Sequence, residues 1–170
     1  MRIKQFGHVA FRCKDLNESL AFYREKLGFK EKFYLTYSDY IEAMKRSAAS
    51  AGVPVNQQAI DRIFPKRDKI WIVYVELGNG SFIELFDKDE ATKANPPKNE
   101  NFNYRHLALE VEDIHALKAE LESRGVMIDS GPTLGVEGTW QMWTHDPDGN
   151  QIEWMQYTER SMQLIGRYEI

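Results

Sequence analysis

Two histidines and two glutamates occupy matching places in the two halves of the sequence. His8 and His106 each open a short apolar run, His-Val-Ala-Phe and His-Leu-Ala-Leu. Glu84 and Glu153 each end a similar segment, Gly-Ser-Phe-Ile-Glu and Gly-Asn-Gln-Ile-Glu. Imidazole and carboxylate groups together are common ligands of divalent transition metals. The repeated pattern therefore predicts a metal site built from these four side chains.

The alternation of residues around these positions predicts that the four side chains share one face of a sheet. The residues on either side of each glutamate are apolar, as in Ile83-Glu84-Leu85 and Ile152-Glu153-Trp154. Successive side chains of a β-strand point to opposite faces, so the apolar neighbours are expected to pack against helices. A single His or Glu on such a strand is usually just solvated. The matching of all four makes a metal site the stronger interpretation.

The elements that must position these residues repeat as well. Asp15 and Asp113 each follow a histidine at the same interval and are placed to cap a helix, and the two helices are expected to end at Gly28 and Gly125. Apolar alternation predicts strands at about 3–12, 29–37, 69–78, 81–87, 104–112, 126–129, 138–145 and 150–157. The predicted fold class is α+β, with two β-α-β-β-β modules forming a cupped mixed β-sheet.

The composition of the connecting segments predicts the domain boundaries. The first module is expected at 1–90, with a helical insertion at about 38–69, and the second at 102–158. Residues 91–101, which contain Asn-Pro-Pro-Lys, are predicted to form the linker. The remaining residues, 159–170, are assigned to a C-terminal tail.

The insertion is expected to contain two helices. One is predicted from Asp39 to about Ala51, where a glycine and a proline follow, and the other from Asn56 to Phe64, where a proline follows. A lid over the site and a helical hairpin packed on the surface are both compatible with this pattern.

Composition and charge exclude several classes of protein. The chain has 170 residues and a net charge of −4, and no run of Lys and Arg forms a stripe, which argues against nucleic-acid or anionic membrane partners. The longest apolar run, Ile70 to Val75, is too short to cross a bilayer. The start of the chain lacks the apolar core of a signal peptide. The single cysteine, Cys13, excludes an internal disulfide, so a cytoplasmic location is expected.

The other two histidines have structural interpretations. His145 directly precedes the turn Asp146-Pro-Asp-Gly149, and is expected to be a surface or turn residue. His115 lies in the first turn of a predicted helix, and no function is assigned to it.

The sequence resembles the vicinal oxygen chelate superfamily, which includes glyoxalase I, methylmalonyl-CoA epimerase, extradiol dioxygenases, and fosfomycin or bleomycin resistance proteins. The resemblance rests on the paired modules, the histidine at the head of each first strand, and the ending Asp146-Pro-Asp-Gly-Asn-Gln-Ile-Glu153. It covers about residues 1–90 and 102–158. The ending is specific for the superfamily and much less so for any one activity.

The ligand set implied by this resemblance is most similar to that of bacterial glyoxalase I (lactoylglutathione lyase). It comprises His8, Glu84, His106 and Glu153 around one divalent metal ion, and Ni, Zn, Fe, Co and Mn all suit these donors. Arg12 matches the arginine with which glyoxalase I holds the carboxylate of glutathione, which implies a substrate-binding role.

Two departures argue against glutathione as the thiol. Lys88 stands where glyoxalase I normally has an asparagine. The segment 138–143 is neutral, whereas basic residues that grip glutathione are expected there.

The implied function is a divalent-metal-dependent, glyoxalase I-like lyase or isomerase that acts on a small molecule with vicinal oxygens through an enediolate. Glu153 is the expected general base and Glu84 the second candidate, because a purely structural site would not require two carboxylates. The alternatives are an epimerase or extradiol-type dioxygenase of the same superfamily, or a metal-free drug-binding resistance protein. Modules of this superfamily pair within a chain or across a dimer, and a homodimer is expected.

Overall fold

The structure, a computed structural model, describes residues 4–88 and 104–166 of the chain. These residues form two compact units, one of 4–24 and 28–88 and the other of 25–27 and 104–166. The predicted linker at 91–101 lies outside the described residues. Within the described part of the chain, no helix has the length and apolar character needed to span a membrane.

Both halves of the chain follow the predicted β-α-β-β-β order, and the first carries two additional helices between its second and third strands. The first half contains β1 (His8–Arg12), α1 (Leu16–Ala21) continued by a π-helical turn (Phe22–Lys26), β2 (Lys30–Thr36), α2 (Tyr37–Ala51), α3 (Gln57–Ile63) continued by a 3-10 turn (Phe64–Lys66), β3 (Ile70–Gly78) and β4 (Ser81–Phe86). The second half contains β5 (His106–Glu110), α4 (Ile114–Ser123), β6 (Ser130–Leu134), β7 (Trp140–His145), β8 (Gln151–Gln156) and α5 (Met162–Ile165). The predicted α+β class is confirmed.

Each module has a four-stranded mixed sheet with the same strand order. The orders are β1-β4-β3-β2 and β5-β8-β7-β6. The first strand of each module runs parallel to the last, and the other pairs are antiparallel. The register of the parallel pair also repeats, since Ala10 lies opposite Glu84 and Ala108 opposite Glu153. The two modules therefore share one topology, down to the register of their parallel strands.

The helix caps lie where the sequence predicts them. The Asp15 carboxylate accepts hydrogen bonds from two backbone N–H groups in the first turn of α1, and Asp113 does the same for α4. These bonds satisfy donors that a helix end otherwise leaves without partners. The buried core beside the helices comes largely from alternating residues of the central strands: Val73, Val75, Ile83, Leu85, Met142, Ile152 and Trp154.

The predicted strand at 126–129 is wrong, because the corresponding strand is β6, which begins four residues later. Val126 is buried, and its N–H donates to the Leu121 carbonyl at 2.9 Å, so the chain is still packing against α4 at this point. β6 contains Gly131 and Pro132 and pairs with β7 through an irregular register at this dipeptide. Proline is tolerated in an edge strand, and this segment has no apolar alternation for the sequence rules to detect.

Helix α2 begins two residues before its predicted start. The Thr36 N–H donates to the Asp39 carboxylate at 2.7 Å, and the Asp39 N–H donates to the Thr36 hydroxyl at 3.3 Å, forming a capping box. Ile41 is buried, and the ring of Tyr40 stacks on Trp71 of β3 at a centroid distance of 4.2 Å. Helix α2 therefore packs as part of the first module.

The predicted tail begins with a segment that is fixed to the second module. The hydroxyl of the buried Ser161 accepts a hydrogen bond from the Thr158 N–H at 2.8 Å and lies 3.1 Å from the Gly138 carbonyl, to which it donates. The short helix α5 follows it directly.

Candidate active site

In the first module, His8 and Glu84 lie side by side on the neighbouring strands β1 and β4. His8 Nδ1 is 3.6 Å from Glu84 Oε1. Glu84 pairs with Ala10, two residues beyond His8, so the two side chains share one face of the sheet. The Glu84 side chain is 8% exposed and that of His8 is 54% exposed. The pair therefore presents an imidazole at the surface beside a buried carboxylate.

In the second module, His106 and Glu153 repeat this arrangement on β5 and β8. His106 Nε2 is 3.0 Å from Glu153 Oε2, and the Glu153 side chain is 7% exposed. Burial raises the pKa of the Glu153 carboxyl above its ordinary value, and the charge of Glu137 acts in the same direction. The neighbouring His106 opposes this effect without reversing it. Glu153 therefore holds a proton more tightly than a solvated glutamate does.

An aromatic residue lies opposite each glutamate on the adjacent antiparallel strand. Tyr74 of β3 pairs with Glu84 in the antiparallel register. Burial, together with the nearby Glu84 carboxylate, raises the pKa of Tyr74 to about 12. Trp143 of β7 pairs with Glu153, and its ring meets that of His106 edge-on, with centroids 5.0 Å apart. The His8–Glu84 pair thus has a tyrosine beside it, and the His106–Glu153 pair has the indole ring of Trp143 beside it.

Each pair has the donor types and the spacing that a divalent metal requires. Two ligand atoms at about 2.1 Å from an ion lie about 3.0 Å apart at a right angle and about 3.6 Å apart at 120°. The observed separations are 3.0 and 3.6 Å. Among residues 4–88 and 104–166, no group of three or more His, Cys, Asp and Glu side chains is arranged to hold a metal. Each module by itself thus brings together two of the four predicted ligands.

Arg12 lies on the same face of β1 as His8, at the opposite end of the strand. Its guanidinium carbon is 6.0 Å from the centroid of the Phe86 ring, and its Nη1 is 3.5 Å from the Asp87 carbonyl oxygen. The side chain is exposed. A guanidinium resting on a ring at the end of a strand is suited to bind an anionic group.

The sequence analysis missed Tyr74, because its position depends on an irregularity in the strand register. The turn at Asn79-Gly80, where both residues have positive φ, fixes the hairpin of β3 and β4. Counting outward from this turn would place Val75 opposite Glu84, but an irregularity between Glu76 and Gly78 shifts the register by one residue and brings Tyr74 there instead. His145, interpreted as a surface or turn residue, has a side chain that is 41% exposed and lies at the end of β7, and its ring contacts the carboxylate of Asp129.

Comparison with known proteins places the chain in a superfamily. A sequence model of the Glyoxalase/Bleomycin resistance protein/Dioxygenase superfamily matches residues 5–154, and the chain belongs to this superfamily. The chain is also similar to the mitochondrial methylmalonyl-CoA epimerase of Dictyostelium discoideum. The two are 26% identical over 151 residues, which cover 88% of this chain and 75% of the relative.

Solved structures share the fold. The crystal structure of the glyoxalase family protein from Enterococcus faecalis superposes with a TM-score of 0.65 and 24% identity, over 91% of this chain and 99% of that one. Lactoylglutathione lyase from Agrobacterium tumefaciens superposes with a TM-score of 0.57 and 16% identity, over 92% and 96%. These likenesses concern the fold, and they agree with the superfamily resemblance found in the sequence.

Proposed function

We propose that this protein is a divalent-metal-dependent enzyme that moves a proton at a carbon next to a carbonyl group, in a small substrate with two neighbouring oxygens. The observation that supports this most directly is that a His–Glu pair recurs in both modules, on the equivalent first and last strands and in the same register. The proposed metal ligands are His8, Glu84, His106 and Glu153, and Ni, Zn, Fe, Co and Mn all suit these donors. When bound, such an ion would neutralise the negative charge that develops on the substrate oxygens.

Glu153 is the proposed general base. In the metal-free protein, burial raises the pKa of its carboxyl, so a Glu153 carboxylate not engaged by an ion would be a stronger proton acceptor than a solvated glutamate. Glu84 occupies the equivalent position in the first module, where it is buried beside His8 and lies opposite Tyr74. Glu84 is therefore the second candidate for the base.

A glyoxalase I-like lyase or isomerase reaction on the hemithioacetal of a small dicarbonyl compound is the leading form of this proposal. In such a substrate, a proton moves from one carbon to its neighbour, and both carbons carry oxygen. The exposed guanidinium of Arg12 is proposed to bind an anionic part of the substrate. We also propose a homodimer, for which sedimentation equilibrium should give about twice the 19.8 kDa of the chain.

An epimerase is the second candidate function, and the similarity to methylmalonyl-CoA epimerase favours it. Epimerisation also removes a proton beside a carbonyl group, but returns a proton to the same carbon from the opposite side. This reaction needs two proton-transfer groups, and Glu84 and Glu153 are the candidates. Solvent deuterium incorporated into an acyl thioester without net conversion of a dicarbonyl compound would identify this form.

Metal analysis of the purified protein, before and after chelator treatment, is the first test of the proposal. We expect about one divalent ion per chain and a loss of the ion with chelator. Absence of bound metal, together with no stabilisation on adding Ni, Zn, Mn or Fe, would overturn the proposed function.

The role of Glu153 is tested by substitution once a substrate turns over. Glu153→Gln should lower kcat by about 10²- to 10⁴-fold, the usual contribution of a general base. Glu122→Gln on α4, where Glu122 pairs with Lys118 at the surface, is the matched control and should keep full activity. Unchanged turnover in Glu153→Gln would exclude Glu153 as the base.

A further inference from the structure

A second histidine–carboxylate contact lies on the sheet of the second module, outside the proposed ligand set. His145 Nδ1 is 2.8 Å from Asp129 Oδ1 and 3.0 Å from Oδ2. We propose that His145, held by Asp129, is a catalytic residue that exchanges a proton with a substrate oxygen beside the His106–Glu153 pair. This inference rests on the proposed function.

The strand register places His145 on the same face as Glu153. In the antiparallel pair of β7 and β8, His145 lies opposite Gln151 and Trp143 lies opposite Glu153. Residues directly opposite each other share a face, and diagonal neighbours on that face are about 7–8 Å apart. His145 and Glu153 are such diagonal neighbours. A substrate with two adjacent oxygens, bound at Glu153, would therefore lie within reach of the His145 ring.

His106 lies on the same face of the sheet as His145, in the same row of residues across the strands. It pairs with Gln151 in the parallel register of β5 and β8, so Gln151 separates the two histidines in one row across the sheet. His145 itself lies outside the proposed ligand set, which is defined by the pattern that repeats in both modules. One row thus carries a proposed metal ligand at one end and an imidazole held by a carboxylate at the other.

The contact with Asp129 determines which nitrogen of His145 would react. An ionised carboxylate only accepts hydrogen bonds, so a neutral imidazole that keeps this bond has its proton on Nδ1 and a lone pair on Nε2. The side chain of His145 is 41% exposed. Asp129 is fixed in turn, because its N–H donates to the Trp143 carbonyl at 2.8 Å.

The proposed step conserves protons. As Glu153 takes a proton from the substrate carbon, His145 in its imidazolium form gives its Nε2 proton to the oxygen that gains negative charge, and becomes the neutral imidazole with its proton on Nδ1. In the second half of the reaction that O–H proton returns to Nε2, and Glu153 gives its proton back to carbon. His145 and Glu153 both end in the states in which they began.

The test uses the zinc-loaded protein labelled with ¹⁵N-histidine, and acetohydroxamate as a planar probe with two adjacent oxygens. The four histidines are assigned with single His→Gln variants. On adding the probe, we expect the ring nitrogens of His106 and His145 to shift. His115, whose ring packs against Trp140 at a centroid distance of 5.3 Å, is the internal control and should not respond.

The variants provide a second measurement. His145→Gln should weaken binding of acetohydroxamate by about tenfold and, with a working substrate, lower kcat by about 10²-fold with little change in KM. Asp129→Asn should have a smaller effect in the same direction, because it leaves the imidazole in place but less well oriented. His115→Gln should match the wild type in both measurements.

The outcomes separate the two proposals. A response of His106 without any response of His145, and unchanged probe affinity in His145→Gln, would overturn the role of His145 while supporting the metal site. No response of His106 in the presence of zinc would overturn the proposed function, and this inference with it.

Discussion

Single residues make the two His–Glu pairs unequal, and the aromatic residue opposite each glutamate is the main difference. Tyr74 lies opposite Glu84, whereas the equivalent position opposite Glu153 is Trp143, an indole that packs edge-on against His106. Burial raises the pKa of the Glu153 carboxyl in the metal-free protein, and a carboxylate with a raised pKa is a stronger base. This contrast supports the assignment of the base to Glu153 and of a fixed ligand to Glu84.

We expect Tyr74→Phe to lower the free energy of unfolding of the metal-free protein by about 1 kcal/mol, because the Tyr74 hydroxyl loses its interaction with the buried Glu84 carboxylate. The matched control is Tyr34→Phe on β2, where the side chain is 52% exposed and the change should be below about 0.5 kcal/mol. Urea unfolding of both variants measures the difference. Equal losses would show that the Tyr74 hydroxyl contributes nothing specific.

Gly131 has a backbone conformation that a larger residue would not tolerate. Its φ is +90°, and a Cβ atom there would lie 2.4 Å from the Gln141 carbonyl oxygen. Gly149, in the turn before β8, has φ +79° but nothing within 4 Å of the added atom. We expect Gly149→Ala to cost about 1–2 kcal/mol from the backbone strain alone, and Gly131→Ala clearly more. Denaturant unfolding that ranks them in the opposite order would contradict this account.

Among the elements, helix α2 has an N-terminal cap whose stability depends on pH. The hydrogen bonds from Thr36 hold the pKa of the Asp39 carboxyl below its ordinary value of 3.8. Because this pKa is lowered by folding, the stabilisation is fully present above pH 3.8 and is lost as the pH falls through the lower, folded-state pKa.

We expect Asp39→Asn to lower the melting temperature by roughly 2–4 °C at pH 7, because the charged end of the capping box is lost. The difference from the wild type should shrink well below pH 3.8. Asp68→Asn, at a side chain that is 84% exposed, is the control and should show little effect at either pH. A difference that persists unchanged in acid would rule out the Asp39 charge as the cause.

Most elements could be predicted because each has a local signal. Asp15 and Asp113 mark helix starts, and apolar alternation marks the central strands, so their positions were correct to within a few residues. Strand β6 was missed because Gly131 and Pro132 interrupt any alternation, and its position is set by pairing with β7. The π-helical turn after α1 was also unforeseen, since the periodicity of its apolar residues resembles that of an ordinary helix.

For the site, the same reasoning predicted the proposed ligands but not their surroundings. The side on which a strand residue lies follows from alternation, which is why His8 and Glu84 could be placed on one face. Which residue lies opposite depends on register, and register is fixed by a turn and by the partner strand. The position of Tyr74 and the contact of His145 with Asp129 depend on register, so alternation alone could not predict them.

At the scale of the whole molecule, the proposed metal should act as a folding ligand. An ion that binds only the folded chain stabilises it by about 2.7 kcal/mol at a free concentration 100 times its Kd. We expect zinc or nickel at such an excess to raise the melting temperature of chelator-treated protein by about 5–10 °C. His106→Gln should abolish the shift, and His115→Gln should retain it. An equal shift in all three proteins would indicate binding elsewhere.

The parallel pairing of the first and last strands has a consequence for how the protein is made. Among the described strands, β1 pairs only with β4 and β5 only with β8, so each opening strand gains its strand partner only when the last strand of its module has been made. During synthesis, His8 would leave the ribosome long before Glu84, and would meet it only after the insertion helices had emerged. The stretch of chain that must be synthesised between His106 and Glu153 is shorter. Each His–Glu pair of the proposed centre would therefore form only after the last strand of its module has paired with the first, so a metal ion held by both pairs would require both modules to be folded.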